Sequence, residues 1–99
     1  MMTILMVSYP QHDGARFDRD YYVSTHLPLV REKWSGHGLL SAGALLPNGD
    51  ASVAGVALLE FSSDAAIDAA LASPEAGPVF ADLPNFTDIE PIVARCERV

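Results

Sequence analysis

Residues Thr3 to Tyr9, TILMVSY, form the stretch on which the fold turns. Leu5, Val7 and Tyr9 share one parity, and Ile4 and Met6 share the other. A strand here is therefore apolar on both faces, and such a strand needs cover on both sides of its sheet. The rest of the chain must supply that cover or leave one face to a partner.

Leu39–Leu46 and Ser52–Phe61 are the next strand candidates. Pro47-Asn48-Gly49-Asp50 joins them as a hairpin, because Asn-Gly tolerates a positive φ. Between the first two strands, Asp18 caps a helix running to about Ser35. After the third, Ser62 or Ser63 caps an alanine-rich helix to about Ala72, with Asp64 favourable in its first turn. Pro74 ends that helix, and Pro78 fits the first turn of a further piece reaching about Asp82. Thr87–Val99 reads as a last strand in which Pro91 removes a ladder donor, marking a bulge or an edge. The order β-α-β-β-α-β over residues 1–99 predicts one domain, a ferredoxin-like α+β sandwich with both helices on one sheet face. The other face is then bare, so a homodimer is expected to cover it.

Composition sets the outer limits. Ninety-nine residues suffice for one core, and 49% hydrophobic with 19% charged residues is a globular balance. A net charge of −7 with only six Lys and Arg excludes a nucleic-acid or anionic-membrane surface. No apolar run approaches the ~20 residues of a membrane span, and the start, MMTILMVSYP, lacks the basic region of a signal peptide. One cysteine, Cys96, forbids an intrachain disulfide. The expectation is a cytoplasmic protein.

The first helix carries the candidate chemistry, FDRDYYVSTHLPLV at residues 17–30. Phe17 and Tyr22 are placed for a hydrophobic staple around the Asp18 cap. At about 100° per residue, Leu29, Tyr22, His26, Val30, Val23, Trp34 and Leu27 fall within one arc of about 160°. Pro28 falls on the opposite side, where the Ser24 carbonyl it cannot serve is solvated and the helix bends around the core. His26 thus lies on the inner side. A lone histidine there has two readings, a core residue with a bonded ring nitrogen or a neutral imidazole able to act as a base.

Two runs of residues bear on that choice. Tyr9-Pro10, Phe17-Asp18 with Tyr21-Tyr22, and His26-Leu27-Pro28-Leu29 resemble the opening motif of the EthD family. Residues 82–91, DLPNFTDIEP, resemble its C-terminal signature. The resemblance spans essentially the whole chain, although residues 35–81 carry no signature. It implies a dimeric α+β barrel with a pocket between helices and sheet in each subunit. It also implies kinship with cofactor-independent isomerases, dehydratases and cyclases acting on lactones and aromatics, and with haem-handling enzymes and oxygenases. On that resemblance His26 matches the motif histidine and is the expected base or acid. Tyr22 and Tyr9, or Tyr21, would donate to a developing enolate. The rival reading is a non-catalytic binding or accessory protein of an ether- or aromatic-degrading pathway, and a further alternative is a haem-associated oxygenase.

The remaining candidates are read in the same way. Asp82, Asn85 and Asp88 are placed either to border the pocket and orient His26, or to form a turn in which Asn85 bonds its own backbone. Tyr21, Asp82, Asn85, Phe86 and Trp34 make up the expected substrate-binding set. Trp34, Phe61, Phe80 and Phe86 are most simply core. His12 and His37 lie in polar loops, and the three histidines lack metal-ligand spacing. Asn85-Phe86-Thr87 matches a glycosylation sequon that a cytoplasmic chain would not use. There is no dinucleotide fingerprint or phosphate-binding loop, and no cofactor is expected.

Overall fold

The computed structural model describes residues 2–99. Four strands, β1 Thr3–Pro10, β2 Leu39–Leu45, β3 Val53–Phe61 and β4 Ile92–Cys96, form one antiparallel sheet in the order β2-β3-β1-β4. Leu5 pairs with Leu59 on β3 and with Arg95 on β4, which fixes the register at the sheet's centre. The last strand is shorter than Thr87–Val99. Pro91 stands just before it, and β4 is an edge strand, so the missing donor falls outside the ladder.

The helices lie on one face, as the β-α-β-β-α-β order requires. α1 (residues 19–34) is followed by a 3₁₀ turn, Ser35–His37, which ends at Gly38 with φ 90°. α2 is Asp64–Ala72 and α3 is Ala76–Ala81. Ser63 caps α2 by accepting from the Ala66 N–H at 3.0 Å. Arg95, on the helix side of β4, donates to Asp64 at 2.8 Å and Asp68 at 2.6 Å and ties the edge strand to α2. Leu5, Tyr9, Ala57, Leu59 and Phe61 on the sheet meet Tyr22, Val30, Trp34, Ile67 and Val79 on the helices to form the core.

α1 departs from the expected regular helix. Asp18 caps it through the Tyr21 N–H at 3.1 Å, and the Phe17–Tyr22 staple closes at 5.1 Å between ring centroids. Residues Tyr22–His26 then widen into a π-helical turn, in which the Leu27 N–H bonds the Tyr22 carbonyl, and Leu27–Trp34 resumes the α-helix. The wide turn lies directly before Pro28, whose ring would otherwise press on the Ser24 carbonyl. Within this turn Tyr22 and His26 are buried, while Val23 is 51% exposed. Val23 therefore leaves the apolar arc assigned to it.

The opposite sheet face carries Ile4, Met6, Leu58, Val56, Leu45, Ile92 and Ala94, with no helix over it among the described residues. Leu45 and Ile92 are exposed there. This is the bare face anticipated from the first strand.

Candidate functional site

The two motif runs are stitched together by backbone. The Asp18 N–H bonds the Phe86 carbonyl at 2.7 Å, Phe17 bridges Thr87, and the Thr87 hydroxyl donates to the Arg16 carbonyl at 2.7 Å. Asp88 accepts from the Arg16 N–H at 2.8 Å, so its carboxylate secures the loop and stands away from His26. This junction brings Asp82, at the end of α3, against the π-turn of α1.

There His26 Nδ1 lies 2.9 Å from Asp82 Oδ2, with both residues buried. The other carboxylate oxygen accepts from the Tyr21 hydroxyl at 2.6 Å and from the Asn85 amide at 2.9 Å. Leu83–Asn85 is indeed a 3₁₀ turn, with the Phe86 N–H on the Leu83 carbonyl, but the Asn85 side chain bonds Asp82 and not its own backbone. Burial works to raise the Asp82 carboxyl. The hydrogen bonds from Tyr21, Asn85 and His26 outweigh it and hold the group below the ordinary carboxylate range. Burial lowers His26 against the opposing pull of Asp82, so the imidazole is neutral near pH 7. A neutral ring donating from Nδ1 to a carboxylate carries its lone pair on Nε2.

His26 also lines a cavity of about 70 Å³ between the helices and the sheet. Tyr9, Tyr22 and Trp34 share its wall with apolar side chains including Leu5, Leu59 and Val79. Phe80, expected in the core, is instead 49% exposed and lines the cavity together with Pro91 and Val93. Burial raises both Tyr9 and Tyr22, which therefore stay protonated and able to donate. The Tyr22 hydroxyl and Trp34 Nε1 are enclosed and have no hydrogen-bond partner among the described residues.

The nine singled-out positions thus sort into layers. His26, Tyr22, Tyr9 and Trp34 face the cavity, while Tyr21, Asp82 and Asn85 stand behind His26 as its hydrogen-bonded support. Phe86 is fully buried and is not among the residues lining this cavity. Its ring packs 4.6 Å from His26 and 5.2 Å from Tyr22, holding the imidazole in place. Asp88 belongs to none of these. The π-turn was not legible in the residues, although Pro28 one turn after Ser24 was its signal. His37, expected in solvent, meets Glu75 at 3.0 Å and is half-buried. Among the described residues no three His, Cys, Asp or Glu side chains converge to hold a metal ion.

The fold and the site define a class, the ferredoxin-like α+β sandwich with a helix-side cavity. Comparison with solved structures makes the assignment more particular. An EthD-like protein from Ralstonia eutropha matches with a TM-score of 0.83 and 25% identity, over 97% of this chain and 90% of that one. An ethyl tert-butyl ether D (EthD) family protein from Bacillus halodurans matches over the full length of both chains, with a TM-score of 0.76 and 19% identity. SnoaB, a cofactor-independent oxygenase from Streptomyces nogalater, shares the fold at a TM-score of 0.70 and 13% identity, over 99% of this chain and 95% of that one. No protein-family model and no curated protein matches the chain. In fold the chain is EthD-like, a ferredoxin-like α+β chain similar to these proteins.

Proposed function

We propose that this protein is a cofactor-independent acid–base enzyme, an isomerase, dehydratase or cyclase, acting on a hydrophobic carbonyl, lactone or aromatic compound. One observation carries the reading. His26 is neutral, oriented through Nδ1 by the buried Asp82, and lines an apolar cavity. In the proposed step Nε2 removes a proton from carbon next to a carbonyl, and the C–H electron pair passes into the enolate. The Tyr22 or Tyr9 hydroxyl donates to the developing enolate oxygen. The imidazolium then returns its proton to another carbon or to a departing hydroxyl, and Asp82 stabilises that cation while it lasts.

The apolar wall suits this chemistry, because a charge developed away from water is felt strongly by the few polar groups present. The bare sheet face adds a second proposal, that two copies pair face to face as a homodimer. A place in the catabolism of ethers or aromatics, in the cytoplasm, is part of the same proposal; the name of the Bacillus halodurans neighbour, ethyl tert-butyl ether D (EthD) family protein, connects that neighbour with an ether.

The test is proton exchange. Wild-type protein and His26→Ala are incubated in D2O with a panel of cyclic ketones and lactones, and deuterium at the carbon next to the carbonyl is read by NMR. Faster exchange with wild type, lost in a His26→Ala protein of unchanged melting temperature and assembly, is the expected result. Binding without exchange in either protein would favour the non-catalytic reading.

A further inference from the structure

We propose that Phe80 on α3 and Val93 on β4 form the gate of this cavity, through which an uncharged, single-ring ligand enters. The proposal rests on the reading of the cavity as a ligand site, but not on His26 acting as a base.

Exposure places the outlet. Among the residues lining the cavity, Phe80 is 49% and Val93 53% exposed, and Val7, Leu71, Leu83 and Pro91 are partly exposed. The lining residues on α1 and β3 are all buried. Val93 pairs with Val7 on β1 and shares its helix-side parity, so its exposure lies on the helix side of the sheet. Water therefore reaches the lining where α3 and the turn after it face β4. A dimer paired through the other sheet face leaves this side open.

The two elements are not tied together there. Arg95 binds the far end of β4 to Asp64 and Asp68 of α2, but among the described residues no hydrogen bond joins α3 to β4. α3 is fixed at its ends instead, by Glu75 to His37 at 3.0 Å and by Asp82 to His26 at 2.9 Å. The helix stays in place while the Phe80 side chain is free to turn.

Size calls for such a movement. The cavity measures about 70 Å³, about half the ~150 Å³ that holds benzene in an engineered protein cavity, so a ring enters only if a wall gives way. Tyr9, Tyr22, Trp34 and Leu59 are locked in the core. Phe80 is already half in water, and its one aromatic neighbour among the described residues is Trp34 at 6.2 Å. Swinging that ring outward gives up little burial and supplies both the path and the room. No lysine or arginine lines the cavity, and Arg95, two residues beyond Val93, is already paired with two carboxylates. An anionic ligand would enter without a counter-charge.

The test is exchange of 4-fluoroacetophenone, an uncharged aromatic ketone, between water and protein, read from 19F line shapes over a range of concentrations. Phe80→Ala is expected to speed both association and dissociation about tenfold, and Val93→Trp to slow both about tenfold, each in a protein that still melts cooperatively. Val23→Trp, at an exposed position outside the cavity lining, is expected to match wild type within about twofold. 4-Fluorobenzoate, the same ring with a negative charge, is expected to bind at least about tenfold more weakly. Rates unchanged in both Phe80→Ala and Val93→Trp overturn the gate and leave the cavity a ligand site. So does a Phe80→Ala protein that only dissociates faster, since Phe80 is then a wall and not a gate. Equal binding of 4-fluorobenzoate overturns the preference for an uncharged ligand. No binding of the ketone by either wild type or Phe80→Ala removes the cavity as a ligand site, and the gate with it.

Discussion

His26 and Asp82, 56 residues apart in sequence, meet at 2.9 Å in the buried junction between α1 and the turn after α3. The contact fixes which imidazole nitrogen holds the proton, and so which one can take another. Asp82→Asn keeps the shape but removes the charge and frees the tautomer. Turnover on any substrate that shows His26-dependent exchange should fall about 10- to 100-fold, with the melting temperature changed far less. Steady-state rates of Asp82→Asn beside wild type check this.

The pair also sets a pH signature. Folded His26 protonates at lower pH than the unfolded value of 6.5, so acid taken up below that value goes preferentially to the unfolded chain. Stability should fall as pH drops from 6.5 towards the folded pKa of His26. Asp82 is depressed in the folded protein, so its contribution is present above its unfolded value of 3.8 and disappears as pH falls through its folded pKa. Melting temperatures across pH 3–7 should show both losses (the range is about that of the two titrations). His26→Gln should remove the upper one alone.

Phe86 supports the site from behind. Its ring touches Tyr9, Phe17, Tyr21, Tyr22 and His26 and is fully buried. Phe86→Ala should cost about 3–5 kcal/mol, read by urea denaturation. Phe80→Ala at the cavity's exposed side should cost much less.

Gly38 closes the turn after α1 at φ 90°, where a Cβ would stand 2.8 Å from both the Ala66 Cβ and the Ser62 Oγ. Left-handed backbone and steric contact act together there. Gly38→Ala should destabilise by about 1–3 kcal/mol, while Gly36→Ala, which meets nothing within 4 Å, should be nearly neutral.

Much of this was written in local pattern. The apolar runs, the Asp18 cap, a serine cap at 62 or 63 and the prolines at 74, 78 and 91 define the elements, because each acts on its own few residues. The placement of His26 on the inner side followed from helical periodicity alone. Its pairing with Asp82 did not, since a contact across 56 residues depends on how Arg16–Asp18 and Phe86–Asp88 pair in space. The π-turn was hidden for a related reason. Periodicity assumes one advance per residue, and a proline relieved by a wider turn breaks that assumption, as the exposed Val23 records.

The bare sheet face gives a prediction of its own. Ile92 is 61% exposed and lies on that face opposite Ser8. Ile92→Glu should leave the isolated fold intact but shift a proposed dimer to monomer, as read by light scattering after size exclusion. A wild-type protein that is monomeric at micromolar concentration would contradict the dimer.

The central claim is that His26 offers a free Nε2 to the cavity while Asp82 holds Nδ1–H. Long-range 1H–15N NMR of the imidazoles at pH 7 reads this directly. The account predicts a protonated Nδ1 and an unprotonated Nε2 for the signal that disappears in His26→Ala. A protonated Nε2 with bare Nδ1, or a fully protonated ring at that pH, would contradict it.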